Sequence, residues 1–186
     1  LSGNVVRKLQ IARELAPQNV PALEAVQPKP LRIEEIDFQL GSFWIPPEIV
    51  QNWLETSFET RCRVSCAKAE DKWYVTADFA ERYSVTEFQI ADWNLFRLVE
   101  AALNLKEPAV YRKEYDADNE EKLVLDQEAT LTARRYKNEL KNRFRNYVID
   151  SPEAAHQLEN IYNAIFNSHV TRQYELPAFD VYPGAV

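Results

Sequence analysis

The sequence has no methionine, only three glycines, and two residues each of cysteine and histidine among its 186 residues. It contains neither a GxxxxGK(S/T) nor a GxGxxG phosphate-binding pattern, and no (D/N)PP(Y/F) run of the type that adenine methyltransferases use. The sequence therefore lacks the recognisable active sites of an ATPase and of a methyltransferase. Because it starts at leucine and contains no methionine, we expect it to be a piece of a longer protein.

The few cysteines and histidines do not form a pattern that binds metal. Cys62 and Cys66 would lie about 13 Å apart on one face of a strand, too far for a disulfide. His156 and His169 are distant from both cysteines, so the spacing is not that of a zinc site. We expect free thiols in a reducing, cytoplasmic compartment.

The carboxylates gather in segments predicted to be turns. The acidic segment DADNEE lacks the spaced ligands and the central glycine of a calcium loop. Neither histidine lies in a motif that implies a nucleophile. We therefore predict no metal, no cofactor and no catalytic residue for this sequence, and hence no enzyme activity of its own.

The sequence also lacks long apolar runs. No stretch of about 18 apolar residues is present, so no transmembrane helix and no membrane partner are predicted. A hydrophobic content of 46% and an aromatic content of 12% are typical of a globular protein.

Hydrophobic periodicity predicts an α+β fold, with helices around small antiparallel hairpins and a C-terminal helical hairpin. The predicted helices cover 4–16, 21–26, 46–59, 93–105, 126–150 and a segment from Pro152, with Asp92 and Ser151 as N-caps of two of them. The predicted strands are RCRVSCAKA with KWYVTADF, AVYRKEY with KLVL, and ERYSVTEFQI. Gly41 predicts a tight turn.

The last two predicted helices each have an apolar side. The predicted buried residues are Ala129, Ala133, Tyr136, Leu140, Phe144 and Tyr147 on the first, and Leu158, Ile161, Tyr162, Ile165 and Phe166 on the second. We predict an N-terminal helical segment at 1–30, an α+β core domain at 31–170, and an extended tail at 171–186 that leads to a following domain.

A basic flank borders the first of these apolar sides. With about 100° per residue, four basic side chains lie roughly 60° to 140° round the helix from Leu140; they are Arg134, Lys137, Lys141 and Arg145, and we call them the basic strip. Such a strip can neutralise phosphates without reading base sequence. Two alternatives are a solvated helix face that covers the edge of the core, and a contact with an acidic protein.

Several sequence blocks carry a family resemblance. They are LSGNVVRKL, ALEAVQPK, EIDFQLGSFWIPPEIV, EAALNLKEPAVY, QEATLTAR and YNAIFNSHVTRQYE. Taken in this order, they resemble the middle region of very large phage- and plasmid-borne proteins that join an N6-adenine DNA methylase to an SNF2-like helicase. In that family the region follows the methylase and leads into the helicase.

The resemblance implies a non-catalytic linker or DNA-contacting domain, in which the basic strip would contact phosphates. Its partners would be DNA and the neighbouring methylase and helicase domains. The alternative is a structural, protein-interaction module that docks neighbouring domains without binding DNA.

Overall fold

The computed structural model describes residues 3–67, 69–82, 84–115 and 120–171. The fold is α+β, as predicted, with two-stranded antiparallel sheets and two consecutive C-terminal helices. The helices are α1 Val5–Leu15, α2 Val20–Glu24, α3 Pro47–Phe58, α4 Phe79–Arg82, α5 Leu95–Leu103, α6 Gln127–Asp150 and α7 Pro152–Ile165. The strands are β1 Gly3–Asn4, β2 Arg63–Ala67, β3 Lys72–Thr76, β4 Tyr111–Tyr115, β5 Glu121–Leu125 and β6 His169–Val170. The predicted tail lies, from residue 172 onward, outside the described residues.

The chain divides into two compact units. The larger unit is Ile33–Leu158, and the smaller combines the residues up to 32 with those from 159 onward. In the smaller unit, β1 pairs with β6, and Leu9 and Ala12 of α1 pack against Leu23 of α2. The side-chain amide of Asn163 donates to the carbonyl of Leu31 at 2.8 Å and accepts from its N–H at 2.9 Å.

The larger unit has an aromatic core. Trp53 of α3 lies 5.3 Å from Phe144 of α6 between ring centroids, in an edge-to-face arrangement. Further edge contacts join Trp53 to Phe58, and Phe58 to Phe88. Edge-to-face geometry matches the positive rim of one ring to the negative face of the next. These contacts hold α6 against α3 and thereby fix which side of α6 faces solvent.

The two predicted hairpins are both present. In the first, Val64 lies opposite Val75 and Cys66 opposite Trp73. Val64, Trp73 and Val75 are buried because α3 packs on β2 and α5 packs on β3. The second hairpin joins β4 to β5 in the register Tyr111 to Leu125. The predicted turn at Gly41 is also present, since the N–H of Ser42 donates to the carbonyl of Gln39 and Gly41 has a φ of +101°.

Two local predictions are wrong. Among the described residues of ERYSVTEFQI, only Ile90 makes a strand-like bridge, to Trp93, and the segment begins in the short helix α4. Only Phe88 of these residues is fully buried, so the segment lacks the alternation of buried and exposed side chains that a half-buried strand would have. The N-cap of α5 is Asn94, whose side chain accepts from the N–H of Arg97 at 3.0 Å, and not Asp92, which lies in the turn before it.

The predicted apolar face of α7 is correct only in part. Leu158 is fully buried, but Ile165 and Phe166 are 50% and 42% exposed. Ala154 and Ala155 are buried instead, on the first turn of the helix. The start of α7 agrees with the prediction, because the hydroxyl of Ser151 accepts from the N–H of Ala154 at 3.4 Å.

Candidate functional site

Helix α6 carries the predicted basic strip and is fixed at its start by two contacts. The carboxylate of Asp126 caps the helix by accepting from the N–H of Ala129 at 3.0 Å. The buried hydroxyl of Thr130 accepts from the N–H of Val110, the residue before β4, at 2.9 Å. These contacts set the rotation of the helix about its axis.

The buried side of α6 is rotated from its predicted position toward the basic strip. Ala133, Leu140 and Phe144 are fully buried, as predicted, whereas Ala129, Tyr136 and Tyr147 are only half-buried. The other buried residues of the helix are Thr130, Lys137 and Val148. They lie about 60° to 80° round from Leu140, which is where the basic strip begins.

Lys137 therefore lies inside the fold. Its side chain is 3% exposed, and its ammonium donates to the carbonyl of Lys106 at 3.3 Å and forms an ion pair with Glu107. A phosphate in solution cannot reach this ammonium in the observed conformation. The predicted role of Lys137 as a phosphate contact does not fit its position.

Arg134 and Lys141 also influence the Glu107 carboxylate. Arg134 Nε lies 3.7 Å from Glu107 Oε2. The hydrogen bond from Lys137 lowers the pKa of Glu107, and the positive charges of Lys137, Arg134 and Lys141 lower it further. Three members of the basic strip thus act on one carboxylate.

Arg145, the last member, lies beside a different acid. Its guanidinium donates to the carbonyl of Phe38 at 3.3 Å, stacks over the Phe38 ring at 5.2 Å, and lies 3.8 Å from the Asp37 carboxylate. The side chains of Arg134 and Arg145 remain 47% and 40% exposed. The basic strip is consequently a partly neutralised surface, with Arg134, Lys141 and Arg145 reaching solvent.

A neighbouring cation, Arg143, did not belong to the predicted strip. It forms ion pairs with Glu87 and Glu139, and its guanidinium stacks over the Phe88 ring at 4.9 Å. The hydrogen bond from Glu87 raises the pKa of Arg143. The spacing of Glu139 and Arg143, four residues apart on one helix, was the sequence signal for half of this network.

A second surface feature lies on the hairpin of β4 and β5. Residues opposite each other in an antiparallel pair point to the same side of the sheet. Tyr111 lies opposite Leu125, Lys113 opposite Leu123, and Tyr115 opposite Glu121. One side therefore presents Tyr111, Tyr115, Leu123 and Leu125, which we call the hairpin face; they are 57%, 64%, 62% and 44% exposed.

The hairpin face has no cover among the described residues. The sheet has two strands, and no described strand pairs with either outer edge. An ion pair of 2.8 Å joins Lys113 and Glu121 on the same face. The alternating apolar residues of the two strands were the signal for this surface, but alternation alone does not tell which face the core covers.

Comparison with known families places these features in one matched region. Residues 39–168 match DUF8437, a domain of unknown function, over more than half of the chain. The chain belongs to this family. The DUF8437 region contains the basic strip, Glu107 and the hairpin face, and excludes α1 and α2. No curated protein and no solved structure matches the chain.

The described residues contain neither a metal-binding cluster nor a membrane-spanning helix. No three His, Cys, Asp or Glu side chains in the described ranges are grouped as a metal ion would require. None of the described helices combines the length and apolarity needed to cross a membrane.

Proposed function

We propose that this domain is a non-catalytic linker of a DNA methylase–helicase polypeptide, which docks a neighbouring domain of the same chain onto the hairpin face. The observation that supports this proposal is the exposure of four large apolar side chains on one side of a two-stranded sheet. The methylase–helicase context comes from the sequence resemblance.

The hairpin face is of the kind that a partner covers. An isolated two-stranded hairpin is marginally stable in water and needs an apolar surface against one side. The largest apolar patch on a monomeric protein is commonly about 300–600 Å² and is often a functional surface. Tyrosine in particular is enriched at interfaces, because its ring is apolar and its hydroxyl can stay hydrated.

The size of the face favours a tethered partner. Its four side chains expose roughly 450 Å² of surface, about half of what each partner of a standard interface buries. At 25 cal/mol per Å² this area is worth about 11 kcal/mol. The loss of rotational and translational freedom on association costs about 4–15 kcal/mol, which is comparable to this gain. A domain on the same chain is held at an effective concentration in the millimolar range, so even a weak contact of this size can stay formed.

Hydrogen exchange on the parent polypeptide tests the docking. We expect the amides of β4 and β5 to be more protected there than in the isolated domain, and the double substitution Tyr115→Ser/Leu123→Ser to remove the difference. The matched control is Glu114→Ser/Lys122→Ser, a cross-strand pair on the opposite side of the hairpin. Equal exchange in the parent and the isolated domain would contradict the proposal. Dimerisation of the isolated domain that the Tyr115→Ser/Leu123→Ser variant abolishes would assign the face to a second copy instead.

DNA contact through Arg134, Lys141 and Arg145 is the second candidate function. It is favoured by the solvent exposure that these three side chains keep despite Glu107 and Asp37. Each contact should reduce the salt dependence of DNA affinity by about one unit of slope when its charge is removed.

The test is DNA binding at several salt concentrations, for single- and double-stranded oligonucleotides. Arg134→Gln, Lys141→Gln and Arg145→Gln should each weaken binding for every sequence tested. Arg13→Gln is the control, since Arg13 is an exposed, ion-paired arginine of α1. Salt-insensitive binding, or no binding, would exclude this function for the domain.

A further inference from the structure

A polar cavity of about 270 Å³ lies beside the start of α5. Its lining includes Arg82 at the end of α4, Gln89, and Trp93, Asn94 and Arg97 around the first turn of α5. This volume is just below the usual range for ligand pockets, of about 300–1,000 Å³, and therefore fits a small ligand. The lining contains two arginines, so the ligand it would take is an anion.

The two arginines are held by main-chain carbonyls. Arg97 donates to the carbonyl of Asp92, and its guanidinium stacks over the indole of Trp93 at 5.1 Å. Arg82 Nε donates to the carbonyl of Ala77 at 3.1 Å. A carbonyl fixes the position of a guanidinium but leaves its full charge, and most of its N–H donors remain available.

Neither guanidinium has a carboxylate within ion-pair distance among the described residues. Five other arginines do lie beside an acid, namely Arg13, Arg112, Arg134, Arg143 and Arg145. Arg82 and Arg97 thus differ from Arg134 and Arg145 of the basic strip, because no described acid forms an ion pair with them that would compete with a bound anion. Their charge is not neutralised in place.

The segment between the arginines is rigidly built. The N–H groups of Ile90 and Trp93 donate to each other's carbonyls, both at 2.9 Å, and close a two-residue turn. Ala91 in this turn has a φ of +48°, a left-handed conformation that is unfavourable for alanine. The indole N–H of Trp93 donates to the carbonyl of Ala109 at 3.1 Å.

Asn94 adds a neutral donor. Its side-chain oxygen accepts from the N–H of Arg97, as an N-cap, so its amide nitrogen is the group left to bind a ligand. This cap also fixes the start of α5, which carries Arg97. The positions of both residues are therefore set before any ligand arrives.

We propose that this cavity binds a phosphate monoester or free phosphate between Arg82 and Arg97. Guanidinium groups recognise phosphate through pairs of parallel N–H···O bonds, and the charge makes these bonds about twice as strong as neutral ones. The amide nitrogen of Asn94 supplies a further donor. Asp92, an exposed residue, also lines the cavity, and the negative charge of its carboxylate would repel a bound anion.

The test is a titration of the full chain with inorganic phosphate, a nucleoside 5′-monophosphate and the matching nucleoside. Chemical shifts of the Trp93 indole N–H and the Asn94 side-chain amide report binding. We expect saturable shifts with the first two ligands and none with the nucleoside. Arg82→Gln and Arg97→Gln should each weaken binding about 10-fold, and Asp92→Asn should strengthen it about 3-fold. Arg112→Gln, which alters an ion-paired arginine on the hairpin, should leave affinity unchanged.

The outcomes separate the ligand sources and can overturn the proposal. Tighter binding of the nucleotide than of inorganic phosphate would support a nucleotide ligand, and equal affinities would support free phosphate. Equal shifts with nucleoside and nucleotide would overturn the proposal, because phosphate would not be the recognised group. Unchanged affinity in a folded Arg82→Gln/Arg97→Gln variant, or no saturable shift at tens of millimolar phosphate, would also overturn it.

Discussion

Replacing Glu107 by glutamine should destabilise the larger unit, because the substitution removes the carboxylate partner of a buried ammonium. Breaking a fully buried ion pair from one side costs about 3–5 kcal/mol. The Glu107 side chain is 60% exposed, however, while that of Lys137 is 3% exposed. Water can therefore replace part of what the carboxylate supplies, and we expect a loss of about 1–2 kcal/mol in the free energy of unfolding.

The substitution Lys137→Met should behave differently. It removes the charge that has to be desolvated and keeps an unbranched side chain of similar length. It also leaves the carbonyl of Lys106 without this donor, which costs about 1 kcal/mol or more. We expect a net change within about 1 kcal/mol of zero. In the Lys137→Met background, Glu107→Gln should have almost no further effect, which gives a coupling of about 1–2 kcal/mol between the two residues.

Urea unfolding followed by tryptophan fluorescence and circular dichroism measures all four proteins of this cycle. An additive cycle would refute the reasoning, because it would mean that the ammonium of Lys137 does not depend on Glu107. A second refutation would be a Lys137→Met variant of unchanged stability that binds DNA more weakly than the wild type. That result would make Lys137 a phosphate contact in spite of its burial.

The pH dependence of stability offers a check on the same pair. The pKa of Glu107 is lowered in the folded state, chiefly by the hydrogen bond from Lys137. Its carboxylate therefore contributes stability above the unfolded-state pKa of about 4.3, and this contribution is lost as the pH falls through the lower folded-state pKa. Between about pH 5 and pH 3 the wild type should lose more stability than Glu107→Gln.

Three further predictions concern other parts of the fold. Gly41→Ala should lower the free energy of unfolding by about 2 kcal/mol or more, measured in urea, because its Cβ would lie 2.9 Å from the carbonyl oxygen of Ala102. Gly3→Ala should lower it less, since the added Cβ meets nothing closer than 3.7 Å. Glu59→Gly should raise the unfolding free energy by about 0.5–1 kcal/mol, since Glu59 ends α3 with a φ of +50°, and a loss of stability would contradict this. Burial, with the charges of Glu55 and Glu81, raises the pKa of Cys62 to about 11. At pH 8 about one Cys62 thiol in a thousand is then ionised, so a Cys66→Ser variant should react slowly with a thiol reagent. A reaction as fast as that of a fully exposed cysteine would refute this.

Local sequence signals were sufficient for much of the fold. The long periodic segment from Asp126 to Asp150 predicted α6 almost to the residue. Alternation predicted both hairpins, since β2, β3, β4 and β5 are short runs of strand-forming residues separated by polar turns. These features depend on neighbours in the chain, and a single sequence contains that information.

The candidate sites depended on contacts between distant segments. The rotation of α6 is set by Val110 and by the aromatic core, so the sequence of α6 alone could not show that Lys137 is buried. Glu107 neutralises part of the basic strip from 30 residues away along the chain. Arg82 of α4 and Arg97 of α5 line one cavity although they lie in different helices, and no spacing rule predicts that.

The pairing of β1 with β6 determines how the smaller unit would respond to a pulling force. Gly3 lies opposite Val170, and Asn4 lies opposite His169, so the chain enters and leaves this strand pair at the same end. Tension on the two sides of the domain would break the bonds of the pair one after another, instead of loading them all at once. The bond from the N–H of Val5 to the carbonyl of Ser168, at 3.0 Å, would carry the load next. In single-molecule pulling, the smaller unit should therefore begin to open at low force, at a strand pair that brings together positions 3 and 170 of the chain.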